Sequence, residues 1–180
     1  MPDLLTYADL ASFPDDGLRR ELIGGELIVS PSPKTRHQVV SGRLFLLFGN
    51  HLESNGGGWV YYAPLDVLFS DYDVVEPDLI IVLDEQQAIV TEPNIKGAPA
   101  LLIEIVSTSN PRLDRVRKRD LYAKYGVAEY WIVDPDADRI EVYRLESERY
   151  RKPEIFEPPE TTTYDRLAGL HVDLTQLFAR

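Results

Sequence analysis

The period of the apolar positions changes several times along this chain, and each change marks an element. From about Thr35 to Ser54 apolar residues return every three to four positions, with Val39, Val40, Leu44, Leu47 and Phe48 on one side. That is the spacing of an amphipathic helix, and Gly56-Gly57-Gly58 ends it. Upstream, Arg19 to Ile23 and Glu26 to Ser30 flank Gly24-Gly25, a two-residue hairpin signal, before Pro31-Ser32-Pro33 breaks the chain. Thr6 is placed to cap a short helix over about residues 7 to 13. Two runs, Leu79-Ile80-Ile81-Val82-Leu83 and Leu101-Leu102-Ile103-Glu104-Ile105-Val106, are almost continuously apolar. Such runs suit central strands covered on both faces.

Further strands are predicted at 59 to 62 and 65 to 70. After the second apolar run, Pro111 suits a first helical position and Gly126 a helix end, predicting a helix between them. Strands at 129 to 134 and 139 to 145 follow, with Asp134-Pro135-Asp136 as the turn signal. More β structure is expected to about 164, and a short helix near 173 to 179. The pattern predicts an α/β fold: a mixed β-sheet flanked by helices, with an N-terminal hairpin, in a single domain over residues 1 to 180.

Composition narrows the possibilities. No stretch approaches the roughly 20 apolar residues that span a bilayer. Met1-Pro2-Asp3-Leu4-Leu5 lacks the basic start and apolar core of a signal peptide. The absence of cysteine excludes disulfides, thiolate zinc sites and cysteine nucleophiles, and makes a cytoplasmic setting the default expectation. The net charge of -11 argues against tight non-specific DNA binding. A local patch runs the other way: residues 112 to 124 carry Arg112, Arg115, Arg117, Lys118, Arg119 and Lys124 against Asp114 and Asp120. That patch is either a phosphate-facing surface or a solvated helix face.

The candidate chemistry lies between Glu76 and Pro135. Glu104 interrupts an apolar strand, where a carboxylate is costly to bury unless paired or bound to a metal. Asp78 opens its own strand, directly after Pro77. Oxygen ligands of this kind suit magnesium or manganese, which polarises a phosphate and activates water. On a helical projection at about 100° per residue, Asp114, Lys118, Leu121, Tyr122 and Tyr125 fall within an arc of roughly 100°, and Arg115, Arg117 and Arg119 fall outside it. Lys118 is therefore the cation placed to orient a water and stabilise charge at the phosphate. The structural alternatives are a Lys118 ion pair with Asp114, with Tyr122 as packing, and Asp78 and Glu104 as turn former and salt-bridge partner.

These residues carry a resemblance. Pro77-Asp78 followed by Glu104 on the next core strand resembles the PD-(D/E)xK nuclease superfamily. More closely the chain resembles the Uma-type family of restriction-like endonucleases. The matching features are Glu21-Leu22-Ile23-Gly24-Gly25-Glu26-Leu27, Ser30-Pro31-Ser32-Pro33 with His37-Gln38, Glu76-Pro77-Asp78 and Glu104-Ile105-Val106-Ser107. The row Asp114, Lys118, Tyr122 and the segment Gly126-Val127-Ala128-Glu129-Tyr130-Trp131 complete them. The resemblance implies a restriction-endonuclease-like core and metal-dependent cleavage of nucleic acid, with Asp78 and Glu104 as ligands of Mg²⁺ or Mn²⁺. The chain departs from the superfamily pattern at Val106, where the motif lysine would stand. In the Uma-type pattern the lysine comes from the following helix, and Lys118 fits that position. A glutamate in the early hairpin also belongs to the pattern, which makes Glu21 a further candidate.

The expected site is therefore Asp78 and Glu104 on the metal, the Ile105 carbonyl completing its shell, Lys118 assisting the attacking water, and Glu21 and Tyr122 beside them. The alternative for Glu21 is an exposed strand charge next to Arg19 and Arg20. His37 caps its helix, pairs with Glu21 or touches phosphate. Asp66 ranks below Glu21, and Tyr130 and Trp131 read as core before they read as a base-stacking platform. The functional expectation is an endodeoxyribonuclease acting on DNA as a homodimer. Its rivals are a catalytically inactive nuclease-fold binding or assembly module, and a phosphodiesterase for RNA or small nucleotides.

Overall fold

The computed structural model describes residues 4–14, 16–106 and 112–180. In chain order its elements are α1 (Tyr7–Leu10), β1 (Arg19–Ile23), β2 (Glu26–Ser30), α2 (Thr35–Asn55), β3 (Gly58–Tyr62), β4 (Val67–Ser70), β5 (Asp73–Val75) and β6 (Leu79–Leu83). A short 3-10 helix, Asp84–Ile89, leads to β7 (Ile95–Lys96) and β8 (Leu101–Ile105). A π-helical turn, Leu113–Lys118, runs directly into α3 (Arg119–Lys124). The chain ends with β9 (Glu129–Asp134), β10 (Arg139–Glu146), β11 (Arg149–Tyr150), β12 (Glu154–Phe156), β13 (Thr161–Thr163), β14 (His171–Asp173) and α4 (Leu174–Phe178).

The expected mixed sheet is present. It has seven strands in the order β11-β10-β9-β8-β6-β3, with β12 also on β10. The two continuously apolar runs lie side by side near its centre: β6 pairs antiparallel with β8, and β8 pairs parallel with β9. The rest of the strand structure departs from the expectation of one sheet. A second, five-stranded sheet in the order β2-β1-β5-β4-β7 holds the N-terminal hairpin, and β13 and β14 form a small third sheet. Pro64 and Pro77 bracket the excursion through β4 and β5. Neither has an amide to continue the ladder of β3 or β6, so the chain between them is free to pair elsewhere.

The pleat of the central strands sorts their side chains into two cores. Leu79, Ile81 and Leu83 of β6 and Leu101, Ile103 and Ile105 of β8 pack with Val40, Leu44, Phe48 and Leu52 of α2. The buried stripe of α2 follows i, i+4 spacing and excludes Val39, which is largely exposed. On the other face Ile80, Val82, Leu102 and Val106 pack with Leu121 and Tyr122 of α3 and with Tyr130 and Ile132 of β9. Glu104 falls in the alternation between Leu102 and Val106, so it points toward α3.

At the hairpin, Gly24 and Gly25 take φ values of 62° and 76°. Positive φ at both central residues is the mirror-image turn whose twist matches two antiparallel strands. Thr6 caps α1 as expected, in a reciprocal capping box with Asp9, but the helix stops at Leu10. The helix after β8 is also not the regular one expected: its first part has the wider π turn, and Ser107 and Pro111 lie outside the described residues. Among the described residues no helix is long and apolar enough to cross a membrane.

Candidate active site

Glu104 receives two side chains from the helical segment behind β8. Lys118, at the end of the π-helical turn, places Nζ 2.9 Å from Glu104 Oε1, and Tyr122 donates its hydroxyl to the same oxygen at 2.7 Å. Lys118 Nζ also lies 2.8 Å from Glu21 Oε1 of β1, and only 3.8 Å from Asp114 Oδ1. Glu21 Oε1 accepts a further bond from the Glu76 amide at 2.8 Å. The simple i, i+4 pair of Lys118 with Asp114 is thus its longest contact; its short ones go to two buried carboxylates from two sheets. Spacing of four survives the π turn well enough to keep Asp114, Lys118 and Tyr122 in one row.

Asp78 is held by different groups. Its Oδ2 accepts from the Ile105 amide at 2.7 Å and faces His37 Nε2 at 3.3 Å. Its Oδ1 meets Arg19 Nη1 at 3.0 Å. The other fork of that guanidinium, Nη2, lies 3.4 Å from Glu104 Oε2 and 3.7 Å from Glu21 Oε1. Asp78 and Glu104 therefore each have one oxygen anchored by the protein frame and one turned toward Arg19. Arg19, His37, Asp78, Glu104, Ile105, Asp114 and Lys118 line a cleft of about 300 Å³.

Burial and charge oppose each other here. Burial raises the Asp78 carboxyl, but the His37 hydrogen bond, the charges of Arg19 and His37 and the Ile105 amide overcome it and hold Asp78 below the usual carboxylate range. Burial pushes Glu104 up, against the downward pull of Lys118 and Arg19, and the neighbouring Asp114 and Asp78 add to the rise. Burial works against the Lys118 charge, yet Glu104 and Glu21 more than compensate and hold its pKa above the ordinary lysine value. Burial and then the Glu104 charge keep the Tyr122 hydroxyl protonated far into alkali. At neutral pH the site holds Asp78 as a carboxylate, Lys118 as a cation and Tyr122 as a neutral donor.

The fold brings together Asp78, Glu104, Lys118, Glu21, Tyr122 and Ile105, with His37 on Asp78 and not on Glu21. Glu21 is completely buried, which overturns the exposed-charge alternative. Asp66 stands apart, in a depression shared with Tyr7, Arg20 and Glu76. Trp131 and Tyr130 are fully buried; the Trp131 indole N–H donates to Glu129, and the Tyr130 hydroxyl to the Asp114 carbonyl. Lys118 alone of the cationic patch is buried, and most of the others are ion-paired within the chain, largely at the surface. Arg115 pairs with Asp134 and Glu141, Arg117 with Glu26, Arg119 with Asp120 and Lys124 with Asp73. Arg19 was not singled out by the sequence pattern. The available signal was its place two residues before Glu21, on the same face of β1.

The family model described as "Putative restriction endonuclease", Uma2, matches residues 5–175. The chain belongs to the Uma2 family. No curated protein matches it. Among solved structures it is similar to one titled as a putative nuclease belonging to DUF820 from Anabaena variabilis ATCC 29413. The two share 21% identity with a TM-score of 0.82, over 97% of this chain and 98% of that one. Similarity at that level establishes the fold, the restriction-endonuclease-like α/β core expected from the sequence.

Restriction-endonuclease-like families generally use divalent metals, and the residues of this Uma2 chain fit one. The donors are hard carboxylate oxygens, as magnesium and manganese require. Asp78 Oδ1 and Glu104 Oε2 already converge on one cationic group, Arg19. Glu21 Oε2 is buried without a hydrogen-bond partner. Among the described residues no group of three or more His, Cys, Asp or Glu side chains is arranged to hold a cation as it stands. Arg19 and Lys118 are threaded between the acids and separate them.

Proposed function

We propose that this protein is a metal-dependent endonuclease that hydrolyses phosphodiester bonds in DNA. The observation that carries the reading is the split use of the two acids. The inner oxygens of Asp78 and Glu104 are fixed by Ile105, Lys118 and Tyr122, while their outer oxygens share one cation at a cleft.

In this reading Asp78 and Glu104 would hold Mg²⁺ or Mn²⁺, and the Ile105 carbonyl would offer a third oxygen. Bound there, the ion would supply Lewis acidity at the scissile phosphate and a water of lowered pKa. Lys118, kept protonated by Glu104 and Glu21, gives the fixed positive charge that stabilises the phosphate oxygens as negative charge grows on them. A lysine held in that state does not act as the base. Tyr122 and His37 orient Glu104 and Asp78 through their inner oxygens. Glu21 sets Lys118. The setting is cytoplasmic, and two copies of the chain act on the two strands of a duplex.

A second reading, a nuclease-fold binding or assembly module without activity, draws support from the net charge of -11 and from the internal pairing of the cations around α3. One experiment separates the readings. The purified protein is incubated with plasmid and with single-stranded DNA, with and without Mn²⁺, beside Asp78→Ala, Glu104→Ala and Lys118→Ala. Cleavage that needs Mn²⁺ and all three residues supports the nuclease. Cleavage equal in all four proteins removes the site assignment, and no cleavage with retained DNA binding favours the module. An RNA substrate in the same series tests the remaining alternative.

A further inference from the structure

Two cations touch the carboxylates of the site, and they are held differently. Lys118 leaves only 2% of its side chain exposed and is enclosed by Glu21, Glu104 and the π-helical turn. Arg19 leaves 23% exposed and enters from the cleft side, at the first residue of β1. Its fork contacts the outer oxygens of Asp78 and Glu104, the two that the nuclease reading assigns to the metal. Its Nε is buried and has no hydrogen-bond partner. A guanidinium carries five N–H donors; this one reaches its anions and leaves the Nε donor unsatisfied.

We propose that Arg19 is a positioning residue that takes the place of the metal: it neutralises the outer oxygens of Asp78 and Glu104 in the metal-free protein and must swing into the cleft when a divalent cation binds. The inference rests on the nuclease reading of the site. Its chemistry is competition between cations for the same two oxygens. An ion held by both acids would draw those oxygens toward each other and away from the two ends of the fork. The guanidinium and the ion would repel each other if they shared the same two oxygens. Arg19 can leave without opening either core, because its exit is the cleft itself. Lys118 cannot, since it is buried behind Glu104. The arrangement gives one cation for each oxygen of Glu104: a permanent one on Oε1 and an exchangeable one on Oε2.

The test measures metal binding by titration calorimetry, with Mn²⁺ alone, on the full chain and its Arg19→Gln, Arg19→Lys and Asp78→Asn variants, together with melting temperatures at each Mn²⁺ concentration. Arg19→Gln is expected to bind Mn²⁺ about tenfold more tightly than wild type, since it removes a competing charge. It is also expected to melt lower without metal and to gain more on adding Mn²⁺. Arg19→Lys keeps the charge without the fork and falls between the two. Asp78→Asn, alone and combined with Arg19→Gln, is expected to abolish binding. A folded Arg19→Gln protein with equal or weaker Mn²⁺ affinity overturns the inference while leaving the nuclease reading intact. If Arg19→Gln does not fold, Arg19→Lys decides: affinity unchanged from wild type overturns the inference. If neither wild type nor Arg19→Gln binds Mn²⁺, the metal reading and the inference fall together. Tighter binding that survives Asp78→Asn places the ion elsewhere and also overturns it.

Discussion

Lys118 and Glu104, fourteen residues apart in the chain, meet at 2.9 Å with both side chains almost completely buried. A buried ion pair of this kind is not evidence of stability in itself, because both charges have lost their hydration. Breaking it from one side is the expensive change. Lys118→Met removes the closest cation of Glu104 and of Glu21 together and leaves the two buried acids with only the longer contacts to Arg19, at 3.4 and 3.7 Å. We expect a loss of about 3–5 kcal/mol in urea denaturation. Adding Glu104→Gln to that variant removes one of the stranded charges and keeps an acceptor for Tyr122. The double variant should therefore recover about 1–3 kcal/mol relative to additive costs. Additivity within a few tenths of a kcal/mol would mean that the two residues do not interact in solution.

The Tyr122 hydroxyl offers a cleaner probe of the frame around Glu104. Its ring packs edge-on to Tyr130 at a centroid distance of 4.9 Å, and Phe preserves that packing. Tyr122→Phe deletes only the donor to Glu104 Oε1. A hydrogen bond to a charged group contributes about 1.5–3 kcal/mol, which sets the expected destabilisation. In the nuclease reading the same change weakens Mn²⁺ binding by roughly 10–100-fold, the usual effect of removing a group that orients a metal ligand. Calorimetry on Tyr122→Phe reads the second effect directly, and an unchanged affinity would make Tyr122 a packing residue alone.

How much of this was legible in the sequence depends on whether the signal was periodic. The central strands β6 and β8 were readable because continuous apolar runs mean burial on both faces. Once β8 was placed, Glu104 stood out as the wrong residue type for its strand. The row Asp114, Lys118, Tyr122 was readable because spacing of four aligns side chains in an α-helix and nearly so in a π turn. The second sheet was not readable. β5 has three residues and joins β1 through a single register pair, Leu22 with Val74, so it leaves no periodic trace. Arg19 was missed for a related reason. Its partners Asp78 and Glu104 lie 59 and 85 residues away, and only the docking of the hairpin against the main sheet brings them to it.

That docking has its own test at Gly25. With φ at 76°, the position is in the left-handed region, and a Cβ there would stand 2.8 Å from Leu4 Cβ. Gly25→Ala is therefore strained twice, by the backbone and by the chain packed over it. We expect a loss of about 1–3 kcal/mol in chemical denaturation. Because β1 carries both Arg19 and Glu21, the variant should also disturb the ion pairs at Asp78, Glu104 and Lys118. Gly24→Ala has open space around its Cβ and carries only the backbone term, so it should cost less. Equal costs at the two positions would mean that Leu4 is not packed on the turn.

The last prediction concerns pH. Burial lifts the Glu76 carboxyl from 4.5 to about 7, with Asp66 and Glu21 adding to the rise and Arg19 and Lys118 opposing it. The unfolded chain gives up this proton near the ordinary glutamate value, while the folded chain keeps it. Between those two values the folded state binds more protons than the unfolded state, so stability falls as pH rises. The contribution of Glu76 is fully present below pH 4.5 and is lost as pH climbs through about 7. Glu76→Gln carries no titrating group and should remove this slope from the stability profile, leaving the variant relatively more stable than wild type at pH 8 than at pH 5. Urea midpoints measured across that range check the sign. A wild-type profile whose difference from Glu76→Gln does not change between pH 4.5 and 7 would show that the folded carboxyl titrates where a solvated one does.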